Sequence, residues 1–220
     1  MKKKLFLCLM AVGAIVMVGC KDNQSAQLGG PCVIKGTISP EYNGKRIFLV
    51  PMEGPKTAEY VDSMEVANGQ FEFKKDSVMM AKIVMDYHYR MNLQPLLVVT
   101  EGGVVNVHID SISSASGTPQ NDSLQAWKTL TERHMIENAI AKQQMMECQR
   151  KGDSIGAEKI KQEAHEKHVA YKNKTRSLAA NMKETVLGKF LGTMYPKTYV
   201  KKNADGTDVT YDADTNEPID

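Results

Sequence analysis

The chain has 220 residues, 42% of them hydrophobic and 25% charged, with a formal net charge of +2, enough for one sizeable domain or two small ones. Three of its 28 basic residues, Lys2, Lys3 and Lys4, precede an apolar run that reads as a cleaved signal, which leaves 25 against 26 acidic residues and a charge of about −1. With that balance, and with no Lys/Arg stripe interleaved with aromatics, the chain lacks the basic surface that phosphate backbones require, which excludes nucleic acid as a partner.

Leu5 to Val18 is apolar and uncharged, too short for the roughly 20 residues of a spanning helix, and reads as a secretory signal occupying residues 1–19. Met17-Val18-Gly19-Cys20 resembles a bacterial lipobox, with Met17 standing where Leu is preferred. Cleavage would leave Cys20 as an acylated N-terminus. Each buried methylene contributes about 0.8 kcal/mol, so several acyl chains would hold the protein at a membrane, tethered and not spanning. Residues 20–31 are polar and glycine-rich and read as a flexible tether. Lys21-Asp22-Asn23 resembles the charged signals that some Gram-negative envelopes use for surface export, so the expected location is the outer membrane, on its periplasmic or its surface face. Cys8 leaves with the signal and Cys20 is acylated, which leaves Cys32 and Cys148 as thiols, with no C-x-x-C. An oxidising envelope permits a disulfide between them, but sequence separation does not supply the Cα distance a bridge needs. Two idle thiols are the default expectation.

From Cys32 to Ile109 turn signals cut the chain into short pieces rich in β-branched and aromatic residues, the pattern of strands. Val33 to Ile38 leads into a turn at Pro40-Glu41-Tyr42-Asn43-Gly44, and Ile47 to Val50 is apolar on both faces. In DSMEVANGQFEF, Asn68-Gly69 supplies the positive φ angles of a tight hairpin, with Met64 and Val66 on one arm facing Phe71 and Phe73 on the other. Ile83, Met85, Tyr87 and Tyr89 alternate with Val84, Asp86, His88 and Arg90, as on a half-buried strand. Leu96 to Val99 and Val105 to Ile109, joined at Glu101-Gly102-Gly103, read as a second hairpin, and the polar Ser111 to Ser116 stretch closes the strand region. This spacing predicts an antiparallel β-sandwich over residues 32–115.

At Asp122 the period changes. Asp122-Ser123-Leu124-Gln125 resembles a capping box, and Leu124, Trp127, Leu130 and His134 recur at helical spacing to about Arg150. Lys151-Gly152-Asp153-Ser154 interrupts, and Ile160, Ala164, Tyr171, Thr175, Leu178 and Met182 form the stripe of a second helix. Glu147 with Lys151 and Glu163 with Lys167 stand at i,i+4 in the favourable orientation. Val186, Leu187, Phe190, Leu191 and Met194 mark a short third helix. The expected fold is therefore α+β: the sandwich, then a long antiparallel helical hairpin plus a short third helix over residues 116–196. Residues 197–220 read as a polar, acidic, mobile tail with a small hairpin about Asp205-Gly206.

Asp62-Ser63, Asn68 to Phe73, Glu101-Gly102-Gly103 and Gly117 to Asp122 together resemble the uncharacterised domain that precedes a thioredoxin fold in lipoprotein thiol-disulfide oxidoreductases of anaerobic Gram-negative bacteria. The likeness runs from about Val33 to Met194. It implies a β-sandwich and an envelope location. Relatives continue into a thioredoxin fold with a redox cysteine pair, whereas this sequence ends at Asp220, so the likeness implies no oxidoreductase activity and carries over no site residue.

Other candidate chemistry has a plainer alternative in each case. His165-Glu166-Lys167-His168 lacks the spacing of H-E-x-x-H and reads as a solvated helix face, although His134 and Cys148 in the preceding helix could face His165 and His168 as a Cys/His cluster. Asp86, His88 and His108 could share a sheet face for acid-base work, yet such faces ordinarily turn to water. Ser63 lacks a G-x-S-x-G elbow. Asp212-Ala213-Asp214-Thr215-Asn216 opens like a calcium loop, but Glu217 stands where glycine is required. Met79, Met80, Met135, Met145 and Met146 suit either an adaptable partner surface or core filling. The sequence thus leads to the expectation of a non-catalytic, lipid-anchored envelope lipoprotein that serves as a binding or scaffold module, with Cys20 as its lipidation site, no cofactor or metal, and a membrane plus an envelope protein or small ligand as partners. An accessory role in envelope thiol-disulfide exchange is the alternative.

Overall fold

The computed structural model describes residues 30–57, 59–86, 89, 92–203 and 206–219. The signal, most of the tether and Cys20 lie outside them, as do Tyr87, His88, Arg90 and Asp205. The protein is mixed α and β, with several sheets in the N-terminal half followed by helices.

Strands β1 (Cys32–Ile38), β4 (Gln70–Lys75), β7 (Gly103–Ile109) and β8 (Ser114–Ser116) form one four-stranded sheet in the order β4-β1-β7-β8. Strands β2 (Arg46–Pro51), β3 (Asp62–Glu65), β5 (Met80–Met85) and β6 (Leu96–Val99) form another, in the order β3-β2-β5-β6. Alternation drives both. In β1, Cys32, Ile34, Gly36 and Ile38 point inward, and in β7, Val105, Val107 and Ile109 do the same. The inward residues of the two sheets, among them Ile34, Ile47, Leu49, Ile83, Leu96 and Val105, share one apolar cluster. Gly36 is required there by close approach: the Phe71 ring lies over it, with ring carbons 1.9–2.3 Å from where a Cβ would stand.

Both expected hairpins of the strand region are corrected. Asn68 and Gly69 adopt φ of 53° and 66°, as a tight turn requires, and the turn closes on an Ala67–Gln70 bridge. The arms then part, β3 pairing with β2 and β4 with β1. Met64, Val66, Phe71 and Phe73 do meet, but within the apolar cluster between the sheets and not along a shared ladder. The link at Glu101-Gly102-Gly103 likewise carries the chain from β6 in one sheet to β7 in the other. Because β7 starts at the end of the sheet where β1 also starts, with Cys32 opposite Gly103, the two run parallel. The sheet is mixed, not wholly antiparallel as expected. The fifth strand stops at Met85 instead of running on to Arg90, and Tyr89 sits in a turn with its ring edge-on to Tyr42 at 5.5 Å. The Ser111 to Ser116 stretch contributes β8 instead of ending the strands.

Helices α1 (Pro119–Arg150), α2 (Ser154–Asn181) and α3 (Val186–Met194) follow. The first begins three residues before the expected Asp122, with Thr118 as N-cap and Pro119 in the first turn, a position where proline's missing N–H costs nothing. Its cap comes from far along the chain. The buried Glu101 carboxylate accepts hydrogen bonds from Gln120 N at 2.5 Å, Asn121 N at 3.3 Å and Gln120 Nε2 at 3.0 Å, neutralising donors that a helix start leaves unpaired. The Gln120 Oε1 atom then accepts from Leu187 N of α3 at 3.0 Å. Beside it the fully buried Asn121 amide imitates a neighbouring strand: Val99 N donates to Oδ1 at 2.9 Å and Nδ2 donates to Val99 O at 2.8 Å. Asp122 instead accepts from Gly117 N at 2.8 Å. Asp153 caps α2 through Gly156 N, and Thr185 caps α3 through Gly188 N.

Of the two expected helix ion pairs, Glu147–Lys151 forms at 2.7 Å, while Glu163 faces Lys159 at 4.0 Å in place of Lys167. The tail forms a small hairpin of β9 (Thr198–Lys202) and β10 (Asp208–Asp212). It is held and not loose, because Asp214 bonds to both Arg176 and Lys172 of α2. No helix among the described residues is long and apolar enough to cross a membrane.

Candidate functional site

Most of the sequence candidates are occupied with structural work. His134 and His168 do meet across α1 and α2, with Nε2 and Nδ1 3.1 Å apart, and Asn138 Nδ2 lies 2.9 Å from the same His134 nitrogen. The His134 ring stacks on Tyr171 at 4.4 Å, and the Tyr171 hydroxyl reaches Thr131 and Tyr195 at 3.0 and 2.8 Å. Burial, then the neighbouring His134 and Lys172, holds the His168 pKa below the ordinary histidine value. Cys148 does not join them: it is 14 residues along α1 from His134, about 21 Å at the helical rise. No group of three His, Cys, Asp or Glu that could hold a metal occurs among the described residues.

Asp86 and His108 stand at different sheets, so the acid-base grouping is not assembled, and His88 lies outside the described residues. His108 instead lies on the outer face of β7, its Nδ1 2.9 Å from Thr37 Oγ1. Ser63 accepts a hydrogen bond from Arg46 Nη1 at 3.0 Å and is exposed. In the tail, Asp212 Oδ1 accepts from the backbone of Asp214 and Thr215 at 2.7 and 2.9 Å. With Asp214 committed to α2, these carboxylates are engaged by the protein itself. Cys32 and Cys148 are free thiols. Cys32 is 1% exposed, and burial, with Glu101 adding to it, pushes its thiol up to about 11. That thiol is held protonated and is a poor nucleophile.

What the fold does assemble is a cleft of about 430 Å³ where three separated segments converge, within the size range of small-ligand sites. The position just after β2 contributes Met52, the loop before β5 contributes Val78 and Met79, β5 contributes Met80, and α3 contributes Phe190 and Met194. Met80 is buried and packs in a second apolar cluster with Val99, Leu124, Trp127, Leu187 and Leu191. Met79 is half-buried, and Val78 and Met194 are 47% and 49% exposed. Four thioethers around one concavity give a polarizable wall that conforms to irregular apolar shapes. Glu53 and Lys189 stand at its polar rim, exposed, and neither forms an ion pair among the described residues. The wall formed by α3 is fixed by the Thr185 cap and by the Gln120 bond to Leu187 N. Of the five methionines singled out in the sequence, Met79 and Met80 line this cleft, Met135 and Met146 are exposed on α1 and Met145 is half-buried. Met52 and Met194 were not singled out, because Met52 reaches Met80 only through the pairing of β2 with β5, its N donating to Met80 O at 2.9 Å, and Met194 only through the chain's return in α3.

The cleft sits at one particular end of the sheets. Cys32, Lys75 and Gly103 align at the start of β1, the end of β4 and the start of β7. Short links join Lys75 to Met80 and Val99 to Gly103, so the cleft-lining end of β5 lies at that same end. Here Gly103 N donates to Pro31 O at 3.2 Å, and the chain leading back toward Cys20 departs.

No curated protein and no solved structure matches the chain. Residues 32–124, which span both sheets and the first turn of α1 with Glu101 and Asn121, match the family model described as Domain of unknown function (DUF4369).

Proposed function

We propose that this chain is a non-catalytic envelope lipoprotein, moored through Cys20, that binds an apolar group in the methionine-lined cleft. Its folded part is read as a β-sandwich carrying an antiparallel helical hairpin, an arrangement supported by the single apolar cluster between the sheets and by the stacking of α1 on α2 through His134 and Tyr171. The observation that carries the binding reading is the cleft itself: about 430 Å³, walled by Met52, Met79, Met80 and Met194 and open at Val78. The lipobox supports the mooring. The likeness to the domain that precedes a thioredoxin fold supports an envelope location and an origin shared with lipoprotein oxidoreductases. An accessory role in thiol-disulfide exchange is less well supported, since Cys32 is buried and protonated at neutral pH.

Two measurements test this reading. Radiolabelled palmitate should enter the wild-type chain and not the Cys20→Ser variant, and label in both or in neither refutes the mooring. The fluorescent apolar probe N-phenylnaphthylamine should bind the purified full chain and lose most of its signal with Met194→Glu. Equal signal from the two proteins refutes the cleft as the binding site.

A further inference from the structure

We infer that the occupant of the cleft is the acyl chain of a zwitterionic phospholipid taken from the bilayer to which the protein is moored. The inference deepens the binding reading above and rests on it. Three observations point the same way. The first is position: Pro31 and the cleft-lining ends of β2 and β5 lie at one end of the sheets. Nine residues lie between Cys20 and Gly30, and ten Cα–Cα steps reach at most about 36 Å, which confines this end to within that distance of the headgroups. The second is the wall. Thioether and phenyl groups of Met52, Met79, Met80, Met194 and Phe190 offer no fixed hydrogen-bond geometry, which suits a flexible hydrocarbon and not a rigid polar ligand. The third is the rim. Lys189 and Glu53 bring one cation and one carboxylate to the same mouth, both without an ion-pair partner among the described residues. An ammonium–phosphate head would satisfy both, its phosphate on Lys189 and its ammonium on Glu53, whereas an anionic head would meet Glu53 as a like charge.

The partly exposed Val78 and Met194 give an entering tail apolar side chains to pack against beside the two charged groups. No covalent step is involved.

The test uses the purified full chain reconstituted in phosphatidylglycerol vesicles doped with a trace of phospholipid bearing a diazirine on its acyl tail, with either an ethanolamine or a glycerol head. After illumination, digestion and mass spectrometry, adducts should concentrate on the peptides containing Met79 and Met194. They should be several-fold stronger for the ethanolamine lipid and fall several-fold in the Met194→Glu and Lys189→Glu variants. Both positions are exposed, so these variants retain the fold, as circular dichroism checks. Adducts spread evenly along the chain, adducts unchanged by Met194→Glu, or equal labelling by the two heads would each overturn the inference. If N-phenylnaphthylamine still binds while no phospholipid adduct forms, the lipid assignment fails and the apolar cleft stands. If Cys20→Ser takes no palmitate yet keeps the cleft adducts, the lipid site stands independently of the mooring.

Discussion

Replacing Glu101 by alanine removes the group that joins the β6–β7 link to α1. Its carboxylate is 5% exposed and accepts three hydrogen bonds, two of them from the first backbone N–H groups of the helix. Truncation leaves Gln120 N, Gln120 Nε2 and Asn121 N buried without their acceptor. A stranded buried donor costs about 1–3 kcal/mol, and one that loses an ionised partner lies toward the upper part of that range. Relaxation and entering water recover some of this, so the expected loss is about 3 kcal/mol, with about 1 kcal/mol for Glu101→Gln, which keeps an acceptor of the same shape. Urea unfolding followed by Trp127 fluorescence gives the measurement. At a slope of about 1–3 kcal/mol/M, the alanine variant should unfold at a urea concentration lower by about 1–3 M, with the slope unchanged. The Gln120 side chain also loses its anchor, so the amide proton of Leu187 should exchange faster. A midpoint within experimental error of wild type would mean that α1 is capped by something other than Glu101, and the reasoning would be wrong.

Gly36→Ala should destabilise the protein by about 1–3 kcal/mol, because the new methyl would overlap the Phe71 ring. The double variant Gly36→Ala/Phe71→Leu should cost less than the sum of the two single changes, and strict additivity in urea unfolding would refute the contact. Arg176 and Lys172 hold the Asp214 carboxyl down at about 2, below its ordinary value of 3.8. A depressed carboxylate contributes stability that is present above pH of about 4 and is lost as the pH falls toward 2. Amide exchange in β9 and β10 should therefore accelerate over that interval, and the acceleration should be absent in Asp214→Asn. Maleimide labelling of the folded protein at neutral pH should modify Cys148 and leave Cys32 untouched until unfolding, and early labelling of Cys32 would contradict its burial.

The sequence reveals individual elements better than their partners. Period-2 alternation in Ile34, Gly36 and Ile38 and in Val105, Val107 and Ile109 marks the inward faces of β1 and β7, and the stripe through Tyr171 and Thr175 marks α2. Asn68-Gly69 dictates the local backbone, and that backbone forms. A turn does not decide which strand each arm pairs with, however: β3 pairs with β2 and β4 with β1, both distant from the turn in sequence. The parallel alignment of β1 with β7 depends on where the chain re-enters the sheet, which no window of neighbouring residues contains. Glu101 and Asn121 carry no local mark of burial, because a glutamate and an asparagine beside turns ordinarily face water. The cleft is half legible: Met79 and Met80 stand out, but Met52 joins them through the pairing of β2 with β5, and Phe190 and Met194 only through α3, whose Leu187 N donates to Gln120 Oε1.

The alternation of segments between the sheets governs how this protein reaches its native state. The chain visits the first sheet with β1, leaves for β2 and β3, returns with β4, leaves again for β5 and β6, and comes back with β7 and β8. Neither sheet is encoded by a contiguous stretch, so neither can condense early as an autonomous kernel while the other waits. Assembly has to bring distant stretches together at nearly the same moment, with the loop-closure entropy spent before most of the burial is gained. Refolding of residues 32–116 should accordingly be slow and all-or-none, with the helical pair free to zip up sooner.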